Sequence, residues 1–127
     1  MPLSSEGNPV MASFGVAVTG GRNYDNVEFV YKSLEEIRSR YGPFTLLVGD
    51  ATGLDSIARD WAFIHNVGMN VFKADWKKFG RAAGPIRNKK MINRAGLLLA
   101  FPGGRGTADC VRAAQHSGIP IRRFVEP

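Results

Sequence analysis

The sequence predicts a single α/β domain of the Rossmann-like, doubly wound kind, with a mainly parallel five-stranded sheet in the order 3-2-1-4-5. Three observations carry this. Short apolar runs alternate with stretches of helical periodicity along the 127 residues, the pattern of strands covered by crossover helices. Three of the runs end in glycine-bearing turns. One run, Leu97-Leu98-Leu99-Ala100-Phe101, is continuously apolar, as expected of a strand covered on both faces. Right-handed crossovers then leave few arrangements of the strands.

Taken in order, Phe14 to Val18 reads as a buried strand that meets a tight turn at Thr19-Gly20-Gly21-Arg22. A helix follows, with Asp25 as its expected cap and Glu28 reaching back. Val27, Val30, Tyr31, Leu34 and Ile37 give it one apolar face, and Tyr41-Gly42-Pro43 stops it. Thr45 to Val48 is the second strand, ending at Gly49-Asp50-Ala51-Thr52-Gly53. Leu54, Ile57, Ala58, Trp61 and Ala62 mark the second helix, and Gly68 leads into a third strand over Met69 to Phe72. The stretch from Asp75 to Pro85 reads as a loop, with Pro85 at the first helical residue and the helix running to about Arg94. After the Leu97 run come a glycine-rich segment, a helix from Thr107 to Ser117 ended by Gly118, and a last strand around Ile121. Pro120 suits that strand to an edge or a strand start.

Composition bounds the function. The length allows one core, with residues 1–12 expected as a flexible lead-in and residues 13–127 as the domain. Hydrophobic residues at 44% and charged residues at 22% are those of a globular domain. No apolar run approaches the roughly 20 residues of a membrane span, and the N-terminal residues lack the pattern of a signal peptide. The only cysteine, Cys110, excludes an internal disulfide; a cytoplasmic location is the expectation. Seventeen Lys and Arg against 11 Asp and Glu give a formal charge of +6, which favours anionic partners, whether phosphates of a small molecule or of nucleic acid.

In a sheet of this order, ligands bind beyond the carboxyl ends of the strands where the winding reverses, between the first and fourth. Those ends carry Thr19-Gly20-Gly21-Arg22 and Pro102-Gly103-Gly104-Arg105-Gly106-Thr107, so two glycine-rich turns are expected to face each other across one crevice. Glycines there let backbone N–H groups approach an anion, and a helix N-terminus adds about half a positive charge. Arg22 and Arg105 can add bidentate phosphate contacts. The segment is neither a Walker loop nor a Gly-x-Gly-x-x-Gly fingerprint. Beside it, Arg87 reads either as a phosphate ligand or as a solvated charge on a basic edge with Asn88, Lys89 and Lys90. Asp109 reads as a carboxylate for chemistry or as ordinary complementation of the helix dipole. Trp76 stacks on a base or packs under a loop, and Asp55 is a loop-fixing residue or a sugar contact. Cys110 at a helix start has a lowered thiol pKa or is simply buried. His65 and His116 lack metal-ligand spacing with each other or with Cys110; neither a metal nor another cofactor is expected.

Val18-Thr19-Gly20-Gly21-Arg22, Gly53-Leu54-Asp55, Ala74-Asp75-Trp76, Ala83-Gly84-Pro85-Ile86-Arg87-Asn88 with Met91, and Ala100 through Asp109 together resemble the YspA-like branch of the SLOG superfamily, over about residues 14 to 125. The resemblance implies a Rossmann-like fold and a nucleotide or nucleotide-derived ligand. The superfamily includes the LOG phosphoribohydrolases and DNA-processing protein A, a single-strand DNA binder. The LOG enzymes carry Arg-Lys-x-x-Met and Pro-Gly-Gly-x-Gly-Thr-x-Glu-Glu elements. Here Arg87 and Met91 match the first and Asn88 replaces its lysine; Pro102 to Thr107 match the second, with Asp109 and Cys110 in place of the glutamates. By this resemblance, Thr19, Gly20, Gly21, Arg22, Asn88, Gly103, Gly104, Arg105, Gly106 and Thr107 hold the phosphate or nucleotide, while Arg87 and Asp109 act at the ribose in hydrolysis of an N-glycosidic bond. Trp76 and Asp55 are expected against base or sugar. The alternative is a non-catalytic single-stranded nucleic-acid binder. A homodimer is the assembly that relatives of this fold suggest.

Overall fold

The computed structural model describes residues 11–126, so the expected lead-in lies outside the described residues except for Met11 and Ala12. Ala12 is already anchored: its N–H donates to Thr45 Oγ1 and its carbonyl accepts from the same hydroxyl, both at 2.7 Å. Five strands form one sheet in the order β3-β2-β1-β4-β5. They are β1 (Gly15–Thr19), β2 (Thr45–Gly49), β3 (Met69–Phe72), β4 (Leu97–Ala100) and β5 (Ile121–Arg123), and every pairing is parallel. The sequence-based expectation of fold and strand order holds in full.

The three central strands are buried from end to end, and their alternation sorts two cores, because successive side chains point to opposite faces. Val16, Val18, Leu46, Val48, Leu97 and Leu99 face helices α1 (Val27–Tyr41) and α2 (Leu54–Ile64). Ala17, Leu47, Leu98 and Ala100 face the other side, where α4 (Ala83–Ile92) and α5 (Arg105–Ser117) supply Met91, Ile92, Cys110, Val111 and Ala114. The edge strands β3 and β5 are only partly covered.

Three local expectations shift. The side chain that caps α1 is Asn26, not Asp25: its Oδ1 accepts from the Phe29 N–H at 3.1 Å, which places Glu28 in the first turn. Residues 75–85 are helical rather than a loop. Asp75 caps a four-residue helix α3 (Trp76–Phe79) by accepting from the Lys78 N–H, and a 3₁₀ turn over Gly80–Ala82 leads into α4. One turn of helix is too short to show periodicity, and Gly80 at φ +56° breaks it. Pro85 is consequently the third residue of α4, still in the first turn where its missing N–H costs nothing. Finally, α5 begins at Arg105, two residues before Thr107, with Gly104 as a cap that has no side chain to offer.

The strand-end turns lock onto one another. The Gly21 N–H donates to the Pro102 carbonyl at 2.9 Å, tying the β1 turn to the β4 turn, and the Gly21 carbonyl accepts from the Leu54 N–H at 3.0 Å, tying it to the start of α2. Two glycines permit this. Gly53 has φ +69°, and a Cβ on it would fall on the Gly21 carbonyl; a Cβ on Gly103 would strike Thr107 Oγ1 and approach the Gly21 nitrogen to 2.8 Å. By contrast, a Cβ on Gly104 or Gly106 would meet nothing within 4 Å. The glycine-rich segment thus divides into a packing half and an open half. In denaturant unfolding, Gly53→Ala is expected to cost on the order of 3 kcal/mol through positive φ and backbone overlap. Gly103→Ala should cost roughly 1–3 kcal/mol, and Gly104→Ala or Gly106→Ala should change stability by no more than about 1 kcal/mol.

Candidate functional site

The turns wall a cavity of about 560 Å³ at the carboxyl ends of the central strands, within the range of small-molecule sites. One wall is Thr19 to Arg22 with Gly104 to Thr107. The other comes from α3 and α4 through Trp76, Arg81, Gly84, Pro85, Arg87 and Asn88; Asp109 and Arg112 of α5, Asp55 of α2 and Met91 complete it. The switch-point crevice expected from the sequence is therefore present, and it extends further over α4 than the two turns alone imply.

The sharpest electrostatic feature is the start of α5. Its first intrahelical bond runs from the Ala108 N–H to the Gly104 carbonyl. The N–H groups of Arg105, Gly106 and Thr107 have neither side-chain cap nor other partner among the described residues. Uncapped donors at the positive end of a 13-residue helix turn an electropositive helix start toward the cavity. Five arginines line the cavity against two aspartates. Arg22, Arg81 and Arg105 form no ion pair among the described residues. The Arg22 guanidinium instead lies 5.5 Å from the centre of the Trp76 ring, a cation–π approach that spans the two walls. Trp76 is 47% exposed, so it does not pack under a loop.

Other expected ligands make contacts within the protein as well. The Gly21 N–H is committed to Pro102, and Gly103 packs against Thr107 rather than lining the cavity. The Thr107 hydroxyl is buried without a partner among the described residues, and Gly20 lies against the Leu54 side chain. Asn88 is buried with its amide engaged: Oδ1 accepts from Arg87 Nε at 3.1 Å, and Nδ2 donates to Asp109 Oδ2 at 3.0 Å and to the Gly106 carbonyl at 3.3 Å. Arg87 is no solvated charge. It is 9% exposed, and its Nη1 donates to Asp50 Oδ1 at 3.0 Å and to the Phe72 carbonyl at 3.2 Å. A chain of contacts thus runs from Asp50 through Arg87 and Asn88 to Asp109. It holds the Asp109 carboxylate in place, with Arg112 beyond it at 3.8 Å. Gly21, Arg87 and Asn88 thus line the cavity with these donors already engaged inside the protein, and Gly103 does not line it.

Asp109 is the fifth residue of α5, beyond the first turn, because the helix starts at Arg105. Dipole complementation therefore does not account for it. Cys110 is buried, and burial pushes its thiol up to about 12 despite the Thr19 hydroxyl beside it; the lowered-pKa reading fails. Asp55 fixes its loop, its Oδ2 accepting from the Ala51 N–H at 3.3 Å. Arg81 and Arg112 are cavity residues that the sequence reading missed. Arg112 had a signal, since Arg105, Asp109 and Arg112 fall at i, i+4 and i+7 on one helical face; Arg81 was hidden in the stretch read as loop. Among the described residues, no three His, Cys, Asp or Glu side chains gather as metal ligands.

Burial raises the Asp55 carboxyl above its ordinary value of 3.8, while Arg87, the Ala51 N–H and Arg59 oppose the rise. A raised folded-state pKa means that stability is fully present below the unfolded value and declines as pH climbs through the folded one. Asp55→Asn, which keeps an acceptor for Ala51, is accordingly expected to be more stable than the wild type at neutral pH. The difference should vanish toward pH 3.8 in urea unfolding followed across pH.

Comparison with known proteins gives the geometry its relatives. Gene 61 protein of Mycobacterium phage D29 is 42% identical over 120 residues, covering 86% of this chain and 94% of that protein. DNA processing protein A from Helicobacter pylori, solved for its single-stranded DNA binding mode, superposes with a TM-score of 0.69 at 16% identity. That match covers 91% of this chain and 66% of the other, a likeness of fold. The model of the YspA, cpYpsA-related SLOG family matches residues 14–79. That span holds the β1 turn, the Gly53-Leu54-Asp55 docking element and Trp76, and with it the chain belongs to the YspA, cpYpsA-related SLOG family.

Proposed function

We propose that the chain binds a nucleotide-derived ligand, with its phosphate at the uncapped start of α5 between Arg105 and Arg22 and its base toward Trp76. The carrying observation is the set of three unpartnered N–H groups of Arg105, Gly106 and Thr107 opening into a cavity of about 560 Å³. A bare inorganic ion would leave most of that volume unfilled, whereas a nucleoside monophosphate fits the range of such sites. Membership of the SLOG family supports the same reading. Stacking on Trp76 would replace the Arg22 cation–π contact and free that guanidinium to take a phosphate oxygen.

Within this reading, hydrolysis of the N-glycosidic bond of a nucleoside 5′-monophosphate is the chemistry that Asp109 supports. The carboxylate would accept a proton from water as the water oxygen bonds to C1′. The electron pair of the breaking C–N bond would leave with the base, which solvent protonates. Arg87 and Asn88 would act here as positioning residues, since they touch Asp109 and its support rather than the reacting atoms.

Two measurements separate binding from hydrolysis. A nucleoside monophosphate at about 100 times its Kd should stabilise the fold by roughly 2.7 kcal/mol, a rise in Tm on the order of 10 °C. Arg105→Ala should remove most of that rise without lowering the Tm of the free protein; no rise with any nucleotide contradicts the binding reading. Hydrolysis requires release of free base from one member of a nucleoside monophosphate panel, abolished by Asp109→Ala. Absence of release from the wild type rejects hydrolysis and leaves binding standing.

A further inference from the structure

One edge of the sheet lies open beside a groove that has no part in the cavity. Strand β5 pairs with β4 alone. The Leu98 N–H donates to the Pro120 carbonyl at 3.0 Å, and the Phe124 N–H donates to the Ala100 carbonyl at 2.8 Å. These bonds set the phase of the strand: the backbone groups of Pro120, Arg122 and Phe124 face β4. The N–H and C=O groups of Ile121 and Arg123 therefore face outward, and they have no partner among the described residues. Unpaired edge groups of this kind are a template for another strand.

A groove of about 470 Å³ runs along this edge, between β5 and α1. Phe29 and Phe124 give it ring surface, and Lys32, Glu36 and Arg122 give it charge. Side chains alternate along β5, so Arg122 and Phe124 face α1 while Ile121 and Arg123 face α5. Arg122 is already satisfied: its Nη2 lies 2.8 Å from Glu36 Oε2, and its guanidinium lies 5.1 Å from the Phe124 ring centre. Lys32 and Arg123 are exposed and form no ion pair among the described residues. Glu126, the acid nearest in sequence, accepts from Asn26 Nδ2 at 2.9 Å. A free cation thus stands on each face of the open edge, Lys32 on the α1 side and Arg123 on the α5 side. Like charges of this kind oppose pairing with the same edge of a second copy and favour a strand of opposite charge.

We propose that β5 is a docking edge for an extended, acidic segment of a partner protein, which adds to the sheet as a further strand and lays alternate side chains into the α1 groove. Its backbone bonds to Ile121 and Arg123, and its carboxylates meet Lys32 on one face or Arg123 on the other. A segment that alternates apolar and acidic residues is matched in either register, because ring surface and a cation share the groove. None of the groove residues lines the cavity at the carboxyl ends of the strands, so the docking edge does not depend on the nucleotide reading.

Fluorescence anisotropy with a labelled peptide of about eight residues, alternating Val and Glu, tests it. The peptide should bind saturably and lose affinity between roughly 50 and 500 mM salt. A Val-Lys repeat should fail to bind. A Pro-Glu repeat of equal charge should bind at least about tenfold more weakly, because proline removes strand N–H groups. Lys32→Glu/Arg123→Glu should weaken the Val-Glu peptide by about tenfold, with Tm unchanged because both side chains are exposed. At saturation, amide exchange should slow by about tenfold or more at Ile121 and Arg123 and stay as it was at Arg122, whose N–H already lies inside the sheet. The proposal is overturned if the Val-Glu peptide does not bind, if the Pro-Glu repeat or the charge-reversed variant binds as tightly, or if the new protection appears elsewhere. Dimerisation of the free protein that slows the same two amides would also overturn it and assign the edge to a second copy.

Discussion

The peptide of Gly21 is where the fold and the site are joined. Its N–H is held by Pro102 and its carbonyl by Leu54, so three segments distant in sequence converge on one planar group. Each of those bonds closes over a glycine, Gly103 on one side and Gly53 on the other, because a side chain at either would occupy the space of the neighbouring backbone. The sheet alone would set β1 beside β4 and β2, but it would not fix the height or tilt of the turns above it. With the Gly21 peptide clamped, the chain from Gly104 onward is free to leave its helix-start donors unanswered. A turn that used all of its glycines on the ligand would have nothing left to hold itself in place.

The same division of labour runs through the charges. Arg87 is buried and satisfied by Asp50, Asn88 and the Phe72 carbonyl, and its charge is committed to holding α4 over the ends of β2 and β3. Removing one partner of such a cluster leaves an uncompensated buried charge, a larger loss than the pair is worth as a contact. Arg22 and Arg105 carry no ion pair among the described residues. Of the two arginines in the stretches that carry the family resemblance, Arg87 is thus a structural cation and Arg105 a free one, and only burial and partners tell them apart. Asp109 sits at the junction, positioned by the buried cluster and facing the cavity that the free cations line.

The fold was legible in the sequence because it depends on patterns that local chemistry writes plainly. The alternation of Val16, Ala17 and Val18 between two cores, the unbroken Leu97 run and the helical stripe of Leu34 and Ile37 each record burial directly. The site was legible to the level of its two turns. Which atoms of those turns remain available was not, since Gly103 and Gly104 are the same residue type and differ only in what stands beside them in space. Asp109 and Asp55 were ambiguous for a related reason: a carboxylate near a helix start looks alike in sequence whether it caps, fixes a loop or lines a cavity. The helical turn at Trp76 to Phe79 lay below the length at which periodicity exists, and with it the exposure of Trp76 and the membership of Arg81 in the cavity were lost. A Tyr-Gly-Pro stop or a continuous apolar run carries its own explanation; a four-residue helix between two walls of a site is made by its surroundings.

The central claim is that the start of α5 is an open anion site on a clamped frame. Its most direct measurement is a titration of the ¹⁵N-labelled protein with a nucleoside 5′-monophosphate, followed by amide chemical shifts. The account predicts saturable shifts that are largest at the amides of Arg105, Gly106 and Thr107, with the Gly21 amide retaining the protection that its bond to Pro102 confers. Shifts centred elsewhere, with those three amides unmoved, would contradict it.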